Sequence, residues 1–127
     1  MPSQHAVVWI DHRVARVLRL EGGKTPAYKV HARFHATAQH GSGVRTEHEF
    51  FGEVCDAVES VRELLITGGH MALADFRRYA EKHRPATAAR ILAYEVVDHP
   101  ADEELLALAR TFYDRHAAMV GVPTGRR

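Results

Sequence analysis

Residues 6–20 read Ala6-Val7-Val8-Trp9-Ile10-Asp11-His12-Arg13-Val14-Ala15-Arg16-Val17-Leu18-Arg19-Leu20, and the way this stretch folds decides the rest. Ala6–Ile10 is an apolar run rich in β-branched and aromatic residues, the composition of a strand. Val14–Leu20 alternates, with Val14, Arg16, Leu18 and Leu20 on one side and Ala15, Val17 and Arg19 on the other. Asp11-His12-Arg13 leaves room for nothing longer than a tight turn, so the stretch predicts an antiparallel hairpin.

Moving outward, Glu21-Gly22-Gly23-Lys24 makes a second turn. Residues 27–36 set Tyr28, Val30, Ala32, Phe34 and Ala36 against Lys29, His31, Arg33 and His35. This alternation predicts a third strand with one dry face and one basic face. The loop Thr37-Ala38-Gln39-His40-Gly41-Ser42-Gly43 follows, and its glycines allow backbone conformations closed to other residues. Thr46-Glu47-His48-Glu49 has the capping-box pattern and predicts a helix over 46–60 that buries Phe50, Phe51, Val54, Cys55 and Val58. Leu64–Thr67 is a short buried strand stopped by Gly68-Gly69. A helix over 71–84 turns Leu73, Phe76, Tyr79 and Ala80 inward and stops at Pro85. Ile91–Val97 is the fifth strand. Asp98-His99-Pro100 turns into a helix over 101–118, with Leu105, Leu108, Ala109 and Phe112 inward. Residues 121–127 read as a frayed tail, leaving 1–120 as a single α/β domain.

The element order is therefore β-β-β-α-β-α-β-α. Short turns make the first three strands antiparallel, and helical crossovers make the last two parallel to their neighbours. That is the strand order of the ribonuclease-H-like fold, a five-stranded mixed sheet flanked by helices.

Composition narrows the functional classes. With 127 residues and 46% hydrophobic content the chain can build one real core, and 26% charged residues give no sign of disorder. The N-terminus shows no signal-peptide pattern, and no stretch reaches the roughly 20 apolar residues that span a bilayer. Cys55 is alone, which suits a reducing compartment, so the reading is cytoplasmic. The net charge of +1 conceals an asymmetry: residues 1–46 carry seven basic and two acidic residues, whereas 47–104 carry six basic and thirteen acidic ones. Such polarity orients a domain on an anionic partner.

Ten histidines raise the question of a metal. His31 and His35 lie on a strand, where four residues span about 13 Å. Two ligands each about 2.1 Å from one zinc cannot be that far apart, so no metal and no cofactor is expected. A metal-dependent nuclease would need clustered acids. Asp11 ends the first strand, and Glu47, Glu49 or Glu53 is available on the next helix, but Leu64–Gly68 supplies no acid. Cys55 lies on an apolar helix stripe and reads as a structural thiol. Thr67-Gly68-Gly69-His70, at a strand-to-helix turn, has no basic residue to reinforce an anion site. The basic strand face and the loop beside it form the candidate surface for RNA: Arg13, Arg16, Lys29, Arg33, His40, Gly41, Ser42, Gly43 and Arg45.

Several stretches, spaced in order along nearly the whole chain, carry a family resemblance. They are Ala6–Arg13 with Ala15-Arg16, Gly41-Ser42-Gly43, Leu65-Ile66-Thr67-Gly68, and Glu95-Val96-Val97-Asp98-His99-Pro100 with Asp102, Leu105, Ala109 and Arg110. In these the chain resembles a small bacterial family labelled translational machinery protein. That family is distantly similar to the middle domain of the archaeal and eukaryotic release-factor and Pelota superfamily, which has a ribonuclease-H-like fold. Release factors of that superfamily carry Gly-Gly-Gln for peptidyl-tRNA hydrolysis in the loop after the third strand. Here that loop is Gln39-His40-Gly41-Ser42-Gly43, without the triplet. The resemblance thus implies a non-enzymatic, translation-associated module that binds the ribosome or structured RNA. The rival readings are a ribonuclease-H-like metal-dependent hydrolase and a small protein-interaction or oligomerising domain.

Overall fold

The structure is a computed structural model that describes residues 4–21, 28–32 and 42–119. In chain order the elements are β1 (His5–Ile10), β2 (Val14–Arg19), β3 (Tyr28–His31), α1 (Ser42–Ala57), β4 (Glu63–Gly68), α2 (His70–His83), α3 (Pro85–Ala88), β5 (Ile91–Val96) and α4 (Asp102–Met119). Among the described residues the strands make one five-stranded sheet in the order β3-β2-β1-β4-β5. β1 pairs with β2, and β2 with β3, antiparallel; β1 pairs with β4, and β4 with β5, parallel. This is the ribonuclease-H-like α/β class that the element order implies.

The hairpin sets the frame. β1 is central, so both its faces are covered, and Ala6 through Ile10 are all buried. A strand buried on both faces needs an unbroken apolar run rather than alternation, which is what residues 6–10 supply. Ala6, Val8 and Ile10 join Ala15, Val17, Val30, Leu64 and Ile66 beneath α1 and α2, which contribute Phe51, Val54, Cys55, Phe76 and Ala80. Val7, Trp9, Leu18 and Leu65 point the other way, against Leu105, Ala109 and Tyr113 of α4. Buried Tyr113 donates its hydroxyl to the Ala6 carbonyl at 2.7 Å, which satisfies that polar group and pins α4 to β1.

Several boundaries differ from the sequence expectation. α1 starts at Ser42 rather than Thr46, so Ser42 and Gly43 are helical and not part of a loop. Thr46 is buried inside the helix and does not serve as a capping residue. β4 starts one residue early and so includes an acid, Glu63, but at the end of the strand remote from Asp11. Pro85 does more than stop α2: it occupies the first turn of the short helix α3. On β3, Val30 is buried as expected, but Tyr28 on the same side is 60% exposed because β3 is an edge strand. Along α4 the deeply buried residues are Leu105, Ala109 and Tyr113, while Leu108 and Phe112 sit at the margin of the layer. The expected continuation of the third strand through 33–36, the loop from 37 to 41 and the tail 121–127 lie outside the described residues.

Gly68 ends β4 with φ +147°, a backbone that side-chain-bearing residues rarely adopt. A Cβ there would run into the Ile10 carbonyl, so the β4–α2 turn can lie close against β1 only with glycine at this position.

Candidate nucleic-acid interface

The basic residues of the hairpin divide by partner. Arg13, in the β1–β2 turn, is exposed, and so are Lys29 and His31 on β3. They lie together: Val14 is opposite His31, Arg16 is opposite Lys29, and the Ala32 N–H donates to the Arg13 carbonyl at 2.8 Å. Lys29 and His31, two residues apart on a strand, share the face that Trp9 and Arg16 also occupy. Two cations and a histidine thus line the outer corner of the sheet.

Arg16 is different. Its side chain is only 13% exposed, and its guanidinium is held by Asp102 Oδ1 at 2.7 Å and by the Pro100 carbonyl at 2.8 Å. It also lies over the Trp9 ring, 5.1 Å from the centroid. Arg16 therefore clamps the start of α4 to the sheet. Trp9 completes the clamp by donating Nε1–H to the Asp98 carbonyl at 2.7 Å. Arg19 also turns inward and donates to the Ala57 carbonyl at the end of α1. Ser42, Gly43 and Arg45 fall in the first turn of α1, while Arg33, His40 and Gly41 lie outside the described residues.

A second grouping stands beside the hairpin turn. Asp11 Oδ1 accepts the Arg13 N–H at 2.7 Å and the Val14 N–H at 2.8 Å, so this carboxylate shapes the turn. His12, the next residue, places Nε2 2.9 Å from Asp75 Oδ2 on α2. That bond with His12 is the main reason the Asp75 carboxyl titrates below its usual range. Arg78 holds the other oxygen, Oδ1, at 3.1 Å. Glu47 of α1 reaches the same place: one potential ligand atom from each of His12, Glu47 and Asp75 lies within 4.8 Å of the others. A cleft of about 160 Å³ adjoins them, lined by both carboxylates together with His48, Arg78, Tyr79, Lys82 and His83.

The sequence offers Glu47, Glu49 or Glu53 as a possible nuclease acid to go with Asp11. In the structure Glu47 meets His12 and Asp75 instead. Asp75 carried no local signal, since an acid on the exposed side of a helix is ordinary. Cys55 is buried, and burial pushes its thiol up to about 11, as befits a structural residue.

No protein-family model matches the chain, and no curated protein does. Among solved structures, the chain is similar to Pelota from Archaeoglobus fulgidus, with a TM-score of 0.62 and 22% identity over 94% of this chain and 35% of Pelota. It is also similar to an archaeal translation termination factor, with a TM-score of 0.60 and 12% identity over 92% of this chain and 39% of the factor. The likeness is one of fold, and the chain spans little more than a third of either protein's length. Among the described residues, no helix is long and apolar enough to cross a membrane.

Proposed function

We propose that this chain is a translation-associated module that docks on the ribosome or on structured RNA and carries out no hydrolysis itself. The observation that carries the reading is the fold shared with Pelota and with a translation termination factor over more than nine-tenths of this chain. The exposed corner of Arg13, Lys29 and His31 supports it, because cations on a sheet edge suit phosphate contact. Along the sequence the proposed contact also takes in Arg33, His40, Gly41, Ser42, Gly43 and Arg45, and Arg16, on the same face as Lys29, anchors that face to the start of α4. The absence of Gly-Gly-Gln from residues 37–45 supports binding without hydrolysis. The test is co-sedimentation of the purified chain with ribosomes at several salt concentrations. Retention that weakens steeply with salt is expected. A chain that stays in the supernatant even at low salt would refute the reading.

A further inference from the structure

We infer that His12, Glu47 and Asp75 form a binding site for a divalent transition-metal ion, with zinc the best fit. The three side chains come from the β1–β2 turn, α1 and α2, and their ligand atoms lie within 4.8 Å of one another. Ligands of one tetrahedral ion at about 2.1 Å each stand roughly 3.4 Å apart, so small side-chain rotations close the set. One imidazole and two carboxylates provide the nitrogen and oxygen donors that zinc accepts in three-ligand sites, with a further position left open.

Three independent features mark the place as more than an ion pair between His12 and Asp75. Among the described residues no ion-pair or hydrogen-bond partner engages Glu47, although the residue is partly buried and its carboxylate stands beside the other two ligands. Asp75 is held through its other carboxylate oxygen by Arg78 at 3.1 Å, the kind of contact that orients a ligating carboxylate. The cleft of about 160 Å³ is bounded by both carboxylates and has room for water on the open side of the ion. The ion would join the hairpin turn to both helices of one sheet face. This inference is independent of the proposed ribosome contact.

The experiment is calorimetric titration of the intact chain with zinc chloride and, separately, magnesium chloride, with thermal unfolding followed in parallel. Zinc is expected to bind at one-to-one stoichiometry and to raise the unfolding temperature; magnesium, which avoids imidazole, is expected to bind far more weakly. Glu47→Gln is the most informative variant, because no ion-pair or hydrogen-bond partner among the described residues depends on that carboxylate in the metal-free fold. It should lower zinc affinity at least tenfold, as should His12→Ala and Asp75→Asn. Since the chain has ten histidines, the control is the double variant His70→Ala/His116→Ala, at two histidines outside that cleft, which should keep its zinc affinity. The inference fails if zinc does not bind. It fails equally if Glu47→Gln and His12→Ala bind as tightly as the parent.

Discussion

Asp11 holds the β1–β2 turn with a single oxygen that takes two backbone N–H groups, from Arg13 and Val14. This role requires an acceptor oxygen rather than a charge. Asp11→Ala should therefore cost about 1–2 kcal/mol of stability, and Asp11→Asn, which keeps the Oδ1 acceptor, less than half of that. Urea denaturation of both variants measures the difference; equal losses would mean that the charge, not the turn, is what matters. Cys55 makes a second claim at this scale. Burial raises its thiol from an ordinary 9.0 to about 11, so the folded state holds the proton more tightly than the unfolded state does. The stabilisation this represents is complete below about pH 9 and is lost as pH rises toward 11. Cys55→Ala should thus flatten the fall in stability between those pH values. A parallel fall in parent and variant would show that tyrosine ionisation dominates instead. Tyr113, which bonds two backbone carbonyls and whose phenol burial also drives upward, is the first to consider.

Elements explain which parts of the fold could be read in the sequence. The central strand shows itself as the unbroken run Ala6–Ile10, and α2 and α4 as apolar residues at helical spacing, because burial on a sheet leaves a local pattern. The start of α1 was misread because Thr46 and Glu49 have the right spacing for a capping box, while the helix begins four residues earlier. The short helix α3 has too few residues for any periodicity to appear. The site was less legible than the fold, since its contacts join distant residues. Arg16 reads as one exposed cation in an alternating strand until Asp102, 86 residues on, is placed beside it. In the same way His12, Glu47 and Asp75 meet only once the turn, α1 and α2 are assembled. The Arg16 clamp gives a prediction for α4. Arg16→Ala should cost about 2–3 kcal/mol, since it removes packing on Trp9 as well as the bonds to Asp102 and Pro100. Asp102, nearly half exposed, contributes less: a double-mutant cycle should give a coupling of about 1 kcal/mol. A coupling near zero would mean that the Pro100 carbonyl and the Trp9 ring hold Arg16 without the ion pair.

At the scale of the whole molecule the charge asymmetry acquires a location. Residues 1–46 carry seven basic and two acidic residues, and the exposed cations described among them, Arg13 and Lys29, gather at the β3 side of the sheet. The acidic excess of 47–104 falls instead on the stretch that contains α1, α2 and the start of α4. On the proposed function, a chain polarised in this way would approach a polyanion with its hairpin edge first, because the field favours one orientation over the other. If the edge contacts phosphates, each neutralised phosphate releases counterions, and the logarithm of affinity falls linearly with the logarithm of salt. Removing a phosphate contact lowers that slope by about one. The double variant Arg13→Ala/Lys29→Ala should therefore bind a structured RNA more weakly at low salt, with a slope smaller by about two. Arg16→Ala should behave differently: its charge is already committed to Asp102, so the slope should hold while thermal stability drops. Fluorescence titration with an RNA hairpin at four or five salt concentrations, beside ribosome sedimentation, separates the two outcomes. If the double variant folds normally and keeps the parent's slope, the hairpin edge is not the contact surface. A slope lowered by Arg16→Ala instead would mean that the clamp opens on binding and that its guanidinium exchanges Asp102 for phosphate.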